Sequence, residues 1–528
     1  MVPVARSPLT CGAFVFAITS SAFALLALLS VAVLAVRVAS VLDRPGELLA
    51  TSGGESGSIH NIMKTQRGLA LYEDPREPPH YATTLYNAGF YHLYGQATFG
   101  FRGSTARLVR ALRFVTLGLA LAGLAGLLCY AVNDLGRRPP HSRGTRGAVL
   151  LMVLAAVSTA LGALPGWWLL TARPDIGATA LAALALVVVF RLGPDRPWAA
   201  GLAGGLCLAA AWTFKQSCVL IFVGLVVASL IQRRYRFLAA LALPVVAVAV
   251  AFATLLGPEY RDNVFFATSI SGFNLHNLTH VGGRLVLKGA FPLSAAALGL
   301  IVPPSVGWLR RDERVALSAC WWTCLVGGLI ACCRNGSELN YFFELWAVVG
   351  FLSVVQARWL AENLGAPEVR RGSLATALAL AAVATAAAGA DAARLVWPTR
   401  FGATGLAIAP NRLDELDRAR GIAVAASGPV YCQPALSGLA WNLPLPAYLF
   451  DDYPYFHEPA RRRGLLRGGG LEGLIETQYF QTMILESDNE RMLDAATEAG
   501  YVRRPGWTRL VVLTAPGLAA AGPKKAIK

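Results

Sequence analysis

Long apolar runs separated by short polar loops dominate the chain. The first run covers residues 12–36. The later runs lie at residues 108–132, 148–164, 175–190, 199–213, 217–231, 237–256, 286–308, 315–333, 341–356 and 373–390. A helix needs roughly twenty apolar residues to cross a bilayer, and these runs are close to that length. The pattern therefore predicts a polytopic α-helical membrane module over residues 1–390 with about eleven transmembrane helices, the first of them an uncleaved span.

Two polar regions interrupt this pattern. Residues 37–107 separate the first two apolar runs and form a long loop. From residue 391 to residue 528, short apolar runs alternate with polar turns and with a helical pattern at residues 489–500. Such alternation is typical of a small α/β domain. The sequence thus predicts a membrane module followed by a C-terminal α/β domain.

Composition supports a membrane protein and argues against nucleic-acid binding. Hydrophobic residues make up 55% of the chain and charged residues 15%, whereas soluble domains carry about 25% charged residues. The net charge of +16 could suggest a nucleic-acid partner. However, the arginines stand in short clusters between apolar runs, where the bias of cytoplasmic loops toward positive charge explains them.

The same bias predicts the orientation. With the N-terminus in the cytoplasm, five inner loops contain fifteen arginines, whereas four short outer loops contain five cationic residues. Positive charge favours the cytoplasmic side of short loops. We therefore expect the 37–107 loop and the C-terminal domain on the extracytoplasmic side.

The long first loop carries the candidate catalytic acid. Glu55 stands in a glycine-rich turn, and Glu73, Asp74 and Tyr81 follow in a cluster rich in tyrosine, acid and proline. Acidic and aromatic side chains in a loop held by rigid helices are typical of a reaction site. We expect this loop to form a reaction chamber at the bilayer surface with Glu55 at its centre.

Cationic residues at later helix ends are candidates for binding a phosphate. Arg173, Lys215, Arg284 and Arg334 are four of the few cations in the predicted outer loops. Arginine binds phosphate in a bidentate manner, and lysine binds it as a point charge. Alternatively, Arg173 could anchor a helix end at the membrane interface, and Lys215 could extend to the bilayer surface.

Further polar residues complete the set of candidates for sugar or acceptor binding. They are Asp175, Asn274, His276, Asn340 and Glu344. Asp175 could instead stabilise the N-terminus of a helix through its negative charge. Glu344 is ionisable and falls inside a predicted span, which is itself a sign of function. His276 and His280 lie four residues apart, but no third ligand has metal-binding spacing, so we expect neither a metal nor another cofactor.

An ordered set of motifs resembles the GT-C superfamily of glycosyltransferases that use polyprenyl-phosphate sugars. Specifically, the chain looks like the bacterial branch related to protein O-mannosyltransferases and the aminoarabinose transferase of lipid A. The motifs are Glu55, Leu71-Tyr72-Glu73-Asp74-Pro75, Glu77-Pro78-Pro79, the aromatic segment Tyr86 to Tyr94, Arg173-Pro174-Asp175, Thr213-Phe214-Lys215-Gln216 and Asn340-Tyr341-Phe342-Phe343-Glu344. Many relatives have two adjacent acids in the first loop, whereas this chain has Gly54 before Glu55.

The resemblance implies an inverting sugar transfer on the outer face of a bacterial inner membrane. The donor would be a polyprenyl-phosphate-linked sugar and the acceptor an envelope glycan, a lipid or a protein. Glu55 would activate the acceptor as a general base, and the cations would hold the departing phosphate. Glu73, Asp74 and Tyr81 would bind the sugar or the acceptor. Two other functions remain open: a transporter or flippase of lipid-linked sugars, and a non-catalytic subunit of a polysaccharide assembly complex.

Overall fold

The described part of the chain covers most of both predicted regions. The computed structural model describes residues 9–43, 54–135, 144–162, 164–193, 195–301, 310–364, 410–439, 441–443 and 454–516. The predicted domain boundary at residue 390 and the apolar run 373–390 lie outside these residues.

Helices dominate the membrane module. In chain order they are α1 (Leu9–Asp43), α2 (Glu55–Gln66), α3 (Ala88–Ala97), α4 (Thr105–Leu135), α5 (Gly144–Ala160), α6 (Pro174–Leu192), α7 (Pro197–Phe214), α8 (Leu220–Ile231), α9 (Tyr235–Leu255), α10 (Gly257–Arg261), α11 (Ala267–Ser269), α12 (Leu275–Ile301), α13 (Arg311–Cys332) and α14 (Phe343–Leu364). A π-helical turn, Asp262–Phe266, joins α10 to α11. Every predicted apolar run before residue 357 overlaps one of these helices.

Seven stretches of the described helices are long and apolar enough to cross a membrane. They are Ser20–Leu42, Thr105–Val132, Pro174–Leu192, Pro197–Phe214, Tyr235–Leu255, Arg311–Cys332 and Leu339–Arg358. Val149–Ala160 and Leu220–Ile231 are shorter apolar helices. The predicted class, a multi-pass α-helical membrane protein with a small C-terminal α/β domain, is confirmed. The predicted number of about eleven spans is not confirmed.

Burial distinguishes central from peripheral helices. In the span that contains α14, 89% of the most apolar window is buried inside the protein, whereas the corresponding fraction for α9 is 17%. The exposed side chains of α9 include Leu243, Val246, Val250 and Leu255. A helix with such an apolar outer surface is stable only against lipid or another apolar phase. Helix α14 therefore forms the centre of the bundle and α9 lies at its edge.

The C-terminal domain is built around a small mixed sheet. Its elements are α15 (Pro410–Ala425), β1 (Val430–Cys432), α16 (Pro454–Arg462), α17 (Gly470–Glu476), β2 (Thr482–Glu486), α18 (Glu490–Glu498), β3 (Val502–Arg503) and β4 (Leu510–Thr514). The strand order is β1-β2-β4-β3. Strand β2 pairs parallel with β1 and antiparallel with β4. Ile484 in its middle is fully buried, as expected for a central strand covered on its faces.

The C-terminal domain packs directly on the first loop. The Tyr81 hydroxyl donates to the Arg467 carbonyl, and the Arg467 amide donates to the Arg76 carbonyl over 3.0 Å. The Arg467 guanidinium also pairs with the Glu77 carboxylate. Tyr81 is fully buried in the hydrophobic cluster of this domain. Tyr81, which the sequence suggested for sugar or acceptor binding, is therefore located in the contact between the two domains.

Candidate functional site

The carboxylate of Asp175 joins two cations that are far apart in the sequence. Asp175 stands in the first turn of α6, where its Oδ2 accepts from the Arg173 Nε over 3.1 Å. Its Oδ1 accepts from Lys215 Nζ over 2.5 Å and from Asn340 Nδ2 over 2.8 Å. These four residues are called the Asp175 cluster below. They come from the ends of α6 and α7 and the segment before α14, so the cluster lies at one end of the bundle.

The Asp175 cluster is nearly enclosed by protein. Asp175 is 2% exposed, while Lys215 and Arg173 retain 7% and 8%. The Arg173 guanidinium stacks 4.2 Å from the Trp168 ring centroid, and Lys215 Nζ lies 4.8 Å from that of Tyr341. Aromatic faces attract cations, and the attraction is stronger where water is excluded. The aromatic rings therefore help to hold the two cations, while a small part of each side chain stays exposed.

The first loop fixes the position of Lys215. Asn87 donates from its side chain to the Trp212 carbonyl, and the Gln216 side chain donates to the Leu85 carbonyl over 2.8 Å. Gly89 lies so close to Thr213 that a Cβ at position 89 would come within 2.6 Å of its Oγ1. Only glycine permits this approach of α3 to the end of α7.

The first loop also positions Arg173. The Tyr86 hydroxyl accepts from Arg173 Nη2 over 2.9 Å, and the Tyr86 carbonyl accepts from the Tyr72 hydroxyl over 2.9 Å. A tyrosine whose backbone is itself held can orient its hydroxyl with little loss of side-chain entropy. One segment of the first loop, residues 85–89, thus supports both cations.

Glu55 lies beside this cluster in a fully buried ion pair. It is the first residue of α2, and Arg113 on α4 donates to its two carboxylate oxygens over 3.0 and 3.1 Å. The Ala172 amide donates to Glu55 Oε1 over 3.0 Å. Both side chains of the pair are 0% exposed. A bidentate arginine and a backbone donor occupy this carboxylate, which links α2, α4 and the residue that precedes Arg173.

Gly54 brings the turn of Glu55 against Arg173. Its φ of 78° lies in the left-handed region, and a Cβ there would be 3.4 Å from Arg173 Nη1. The structure therefore brings Glu55, Arg173, Asp175, Lys215 and Asn340 into one place at one end of the bundle. The close contact between the turn at the start of α2 and the start of α6 makes this arrangement of the five residues possible.

Glu73 forms an ion pair within the first loop. Lys64 Nζ donates to Glu73 Oε1 over 2.5 Å, and His80 Nδ1 lies 3.1 Å from Glu73 Oε2. Partial burial alone would raise the pKa of Glu73, but the hydrogen bonds and positive charges of His80 and Lys64 lower that pKa to about 2. Glu73 is therefore ionised at neutral pH and stabilises the loop.

Asp74 belongs to a separate charged network. Arg76 donates from Nε to Asp74 Oδ1 over 2.8 Å and from Nη2 to Asp262 Oδ2 over 2.6 Å. Asn263 donates to the Glu73 carbonyl over 2.6 Å. The first loop is thus fastened to the π-helical turn between α10 and α11.

Arg284 and Arg334 lie at the same end of the bundle. Arg284 Nη1 pairs with Glu338 Oε2 at 2.7 Å, and Glu338 is close enough to act electrostatically on Arg173. Arg334 Nη2 lies 3.4 Å from the Ser271 hydroxyl. Asn274 accepts from the His276 amide over 2.9 Å, and both residues are exposed at the start of α12. These contacts of the four residues are with neighbours outside the Asp175 cluster.

Glu344 binds the start of a helix. Its carboxylate accepts from the amides of Leu220 and Ile221 over 3.1 and 2.9 Å, at the N-terminus of α8. These amides have no partner within α8, and a negative charge at this position is favourable. The contacts of Glu344 are structural, and it is buried.

Sequence reasoning missed two partners of the acids. Arg113 falls inside an apolar run, and Lys64 lies in the polar first loop; each is at most 1% exposed. The position of Arg113 was itself a signal, because an arginine inside a predicted span requires a partner. No such signal distinguishes Lys64 from other loop lysines. In the described ranges, no group of three His, Cys, Asp or Glu side chains could hold a metal ion.

Fold and site define a class: a multi-pass helical membrane protein with an enclosed ionic cluster at one end and an α/β domain packed against its first loop. Among solved structures, the chain is similar to ArnT from Cupriavidus metallidurans bound to undecaprenyl phosphate. That match has a TM-score of 0.54 at 12% identity and covers 92% of this chain and 97% of ArnT. For ArnT in the apo state the TM-score is 0.53 at 13% identity, with the same coverage. The similarity shows that the chain shares the fold of ArnT.

No protein-family model and no curated protein sequence matches the chain.

Proposed function

We propose that this protein is an inverting glycosyltransferase that uses a polyprenyl-phosphate-linked sugar. The observation that carries the proposal is the Asp175 cluster, where two enclosed cations share one carboxylate at helix ends. The fold supports it, because the similar ArnT was crystallised with undecaprenyl phosphate. Cations in a site that excludes much water are well suited to stabilise a departing phosphate.

The reaction requires few groups. The acceptor oxygen forms a bond to the anomeric carbon while the bond between that carbon and the phosphate oxygen breaks. The bonding electrons remain on the phosphate, which Arg173 and Lys215 stabilise, and a carboxylate takes the acceptor proton. A single displacement of this kind inverts the anomeric carbon.

We assign proton transfer to Asp175, because among the described carboxylates it lies beside both cations that would hold the departing phosphate. Glu55 was expected to be the base from the sequence. Its complete burial and its bonds to Arg113 and Ala172 fit a different role, that of holding the start of α6 and thereby Arg173. We therefore assign Glu55 to positioning and Asp175 to proton transfer.

The surrounding residues receive secondary roles. Arg284 and Arg334 add positive charge at the same end and would help to attract the donor phosphate. Asn340 orients Asp175. We assign acceptor binding to Glu73, Asp74, Asn274 and His276, and a structural role at the start of α8 to Glu344.

Orientation follows from charge. The end opposite the cluster carries Arg233, Arg234, Arg236, Arg310 and Arg311. Because cytoplasmic loops are enriched in arginine, we place that end in the cytoplasm and the Asp175 cluster with the C-terminal domain on the outer face of a bacterial inner membrane. The acceptor would then be a glycan, a lipid or a protein of the envelope.

The test is a transfer assay with the purified full chain, a labelled polyprenyl-phosphate sugar and candidate acceptors. Lys215→Met and Asp175→Asn should each lower the release of polyprenyl phosphate by about 10²-fold, the usual effect of removing one transition-state contact. Lys215→Met should also weaken donor binding, whereas Asp175→Asn should reduce mainly the rate of the bound complex.

The matched control is Arg463→Gln, which removes an exposed cation of the C-terminal domain and should leave transfer unchanged. Wild-type rates in Lys215→Met would contradict the phosphate role of the cluster. Movement of intact lipid-linked sugar across the bilayer without bond cleavage would instead indicate a transporter.

A further inference from the structure

A cavity lies at the end of the bundle opposite the Asp175 cluster. Its volume is about 510 Å³. It is enclosed by the ends of α6 and α8 and the beginnings of α7, α9 and α13. Asp175 and the cavity-lining Phe190 stand fifteen residues apart on α6, so at 1.5 Å per residue the cavity begins about 22 Å from Asp175. It is thus separate from the proposed reaction site.

The inner wall of the cavity is apolar. It is formed largely by Phe190, Leu225, Ala228, Phe237 and Ala316, which come from four different helices. Leu225 and Ala228 are almost completely buried, so this wall is part of the packed helix interface. An apolar wall between membrane helices is suited to a hydrocarbon chain.

The mouth of the cavity is strongly basic. Arg233, Arg234, Arg236 and Arg310 line it. Arg234 is paired with Asp312 at 2.5 Å. Within the ranges that the structure describes, Arg233, Arg236 and Arg310 are exposed and form no ion pair. Asp312 and Glu313 also line the cavity, so its mouth carries four arginines against two acids and keeps a net positive charge.

A tight turn holds these arginines in place. The Arg233 amide donates to the Leu230 carbonyl over 3.1 Å, and the Arg234 amide donates to the Ser229 carbonyl over 2.8 Å. Arg233 has a φ of 56°, in the left-handed region that non-glycine residues seldom occupy. Gln232 also donates to the Asp312 carbonyl over 2.7 Å, which fastens the turn to α13. The positive rim is therefore built on a defined backbone.

Aromatic side chains place the rim at the membrane surface. Trp198 at the start of α7 is 56% exposed, and Tyr235 at the start of α9 is 63% exposed and lines the cavity. Exposed tryptophan and tyrosine at helix ends are typical of the headgroup level of a bilayer. The cavity therefore opens where lipid phosphates lie and extends toward the level of acyl chains.

We propose that this cavity binds an anionic glycerophospholipid of the surrounding leaflet, with its phosphate on Arg233, Arg236 and Arg310 and an acyl chain along Phe190 and Leu225. Positive charge at the mouth matches the phosphate, and the apolar wall matches the chain. Basic pockets between membrane helices bind anionic lipid headgroups for the same reasons. The inference is independent of the proposed sugar transfer.

The experiment measures binding of phosphatidylglycerol to the purified full chain in detergent, with neutral phosphatidylcholine as comparison. Each cation near an anionic lipid surface contributes a factor of about five, so Arg233→Gln, Arg236→Gln and Arg310→Gln together should weaken binding roughly 100-fold. The single variant Arg236→Gln should weaken it about five-fold. Phosphatidylcholine should bind much more weakly than phosphatidylglycerol to the wild type.

Two controls separate charge, lipid chain and folding. The triple change of Arg463, Arg503 and Arg504 to Gln removes three exposed charges from the C-terminal domain and should leave binding unchanged. Ala316→Phe narrows the apolar wall and should weaken lipid binding while all rim charges remain. Equal binding of both lipids, wild-type affinity in the rim variants, or equal competition by soluble glycerol phosphate would overturn the proposal.

Discussion

The two ends of the helix bundle use cations in opposite ways. At the Asp175 end, Arg173 and Lys215 are nearly enclosed, paired with a carboxylate and covered by aromatic rings. At the other end, Arg233 and Arg236 are exposed around an apolar cavity. Burial makes electrostatic interactions strong and geometry exact, whereas solvent and salt weaken those of exposed groups. The enclosed end is suited to chemistry and the open end to contact with the membrane surface.

The largest effect should come from breaking the buried pair behind the Asp175 cluster. Glu55→Gln leaves Arg113 buried without its counter-ion, and loss of one partner of a buried pair costs about 3–5 kcal/mol of unfolding free energy. Thermal unfolding of the full chain in detergent measures this loss. The double variant Glu55→Leu with Arg113→Leu should regain most of the stability, because neither charge of this pair then remains.

The same variant separates the two roles considered for Glu55. If Glu55 positions Arg173, Glu55→Gln should lower the stability and weaken donor binding. If Glu55 is the general base, Glu55→Gln should abolish transfer while stability and donor affinity stay unchanged. The second result would restore Glu55 to the role that the sequence suggested.

Acidification should loosen the first loop that supports the cluster. The pKa of Glu73 is lowered from 4.5 to about 2 in the folded protein. Its contribution to stability is therefore fully present above its unfolded pKa and is lost as the pH falls from about 4.5 toward 2. Wild-type protein should lose more thermal stability between about pH 5 and pH 3 than Glu73→Gln does. Equal losses would show that this ion pair does not stabilise the loop.

A smaller effect is expected from adding a single methyl group beside Arg173. Gly54→Ala places a Cβ at a φ of 78°, 3.4 Å from Arg173 Nη1. The left-handed conformation costs a non-glycine residue roughly 1–2 kcal/mol, and the contact would shift Arg173. Transfer should fall several-fold with a modest loss of stability. Gly68→Ala is the matched control, since Gly68 has a φ of 68° but has no neighbour within 4 Å; it should lose stability only.

The smallest effect is expected at the open end. Asp312→Asn breaks the ion pair between Asp312 and Arg234. Their side chains are 54% and 32% exposed, respectively. Exposed pairs contribute about 0–1 kcal/mol, so the unfolding free energy should change by no more than that. If Asp312→Asn lost as much unfolding free energy as Glu55→Gln, the proposed difference between the two ends would be wrong.

Helix positions in this protein followed from the sequence because apolar length alone determines which segments can enter a membrane. Each described apolar run overlaps a helix of the bundle, from α1 for the first run to α14 for the last. The alternation after residue 391 predicted the sheet of the C-terminal domain. The motif order also indicated the fold that the chain shares with ArnT. The number of about eleven spans is not confirmed, because α5 and α8 are short and the run 373–390 lies outside the described residues.

Individual site residues were found in the sequence, but their partners were not. Arg173, Asp175 and Lys215 stood out as rare charges at helix ends, and the structure brings them together. Nothing local linked Glu55 to Arg113 or Glu344 to the amides of α8. These contacts join residues 58 and more than 120 positions apart, and long-range pairing depends on how helices pack.

The sequence by itself determined that the chain enters a membrane, where its helices run and which end is rich in arginine, because each of these depends on local composition. Only the tertiary structure decided which charges are enclosed with a counter-ion and which remain open to the surroundings. That distinction depends on the approach of the first loop to α6 and α7, through Gly54, Tyr86 and Gly89. The strength of a charged group's electrostatic interactions depends far more on its burial than on its position in the sequence.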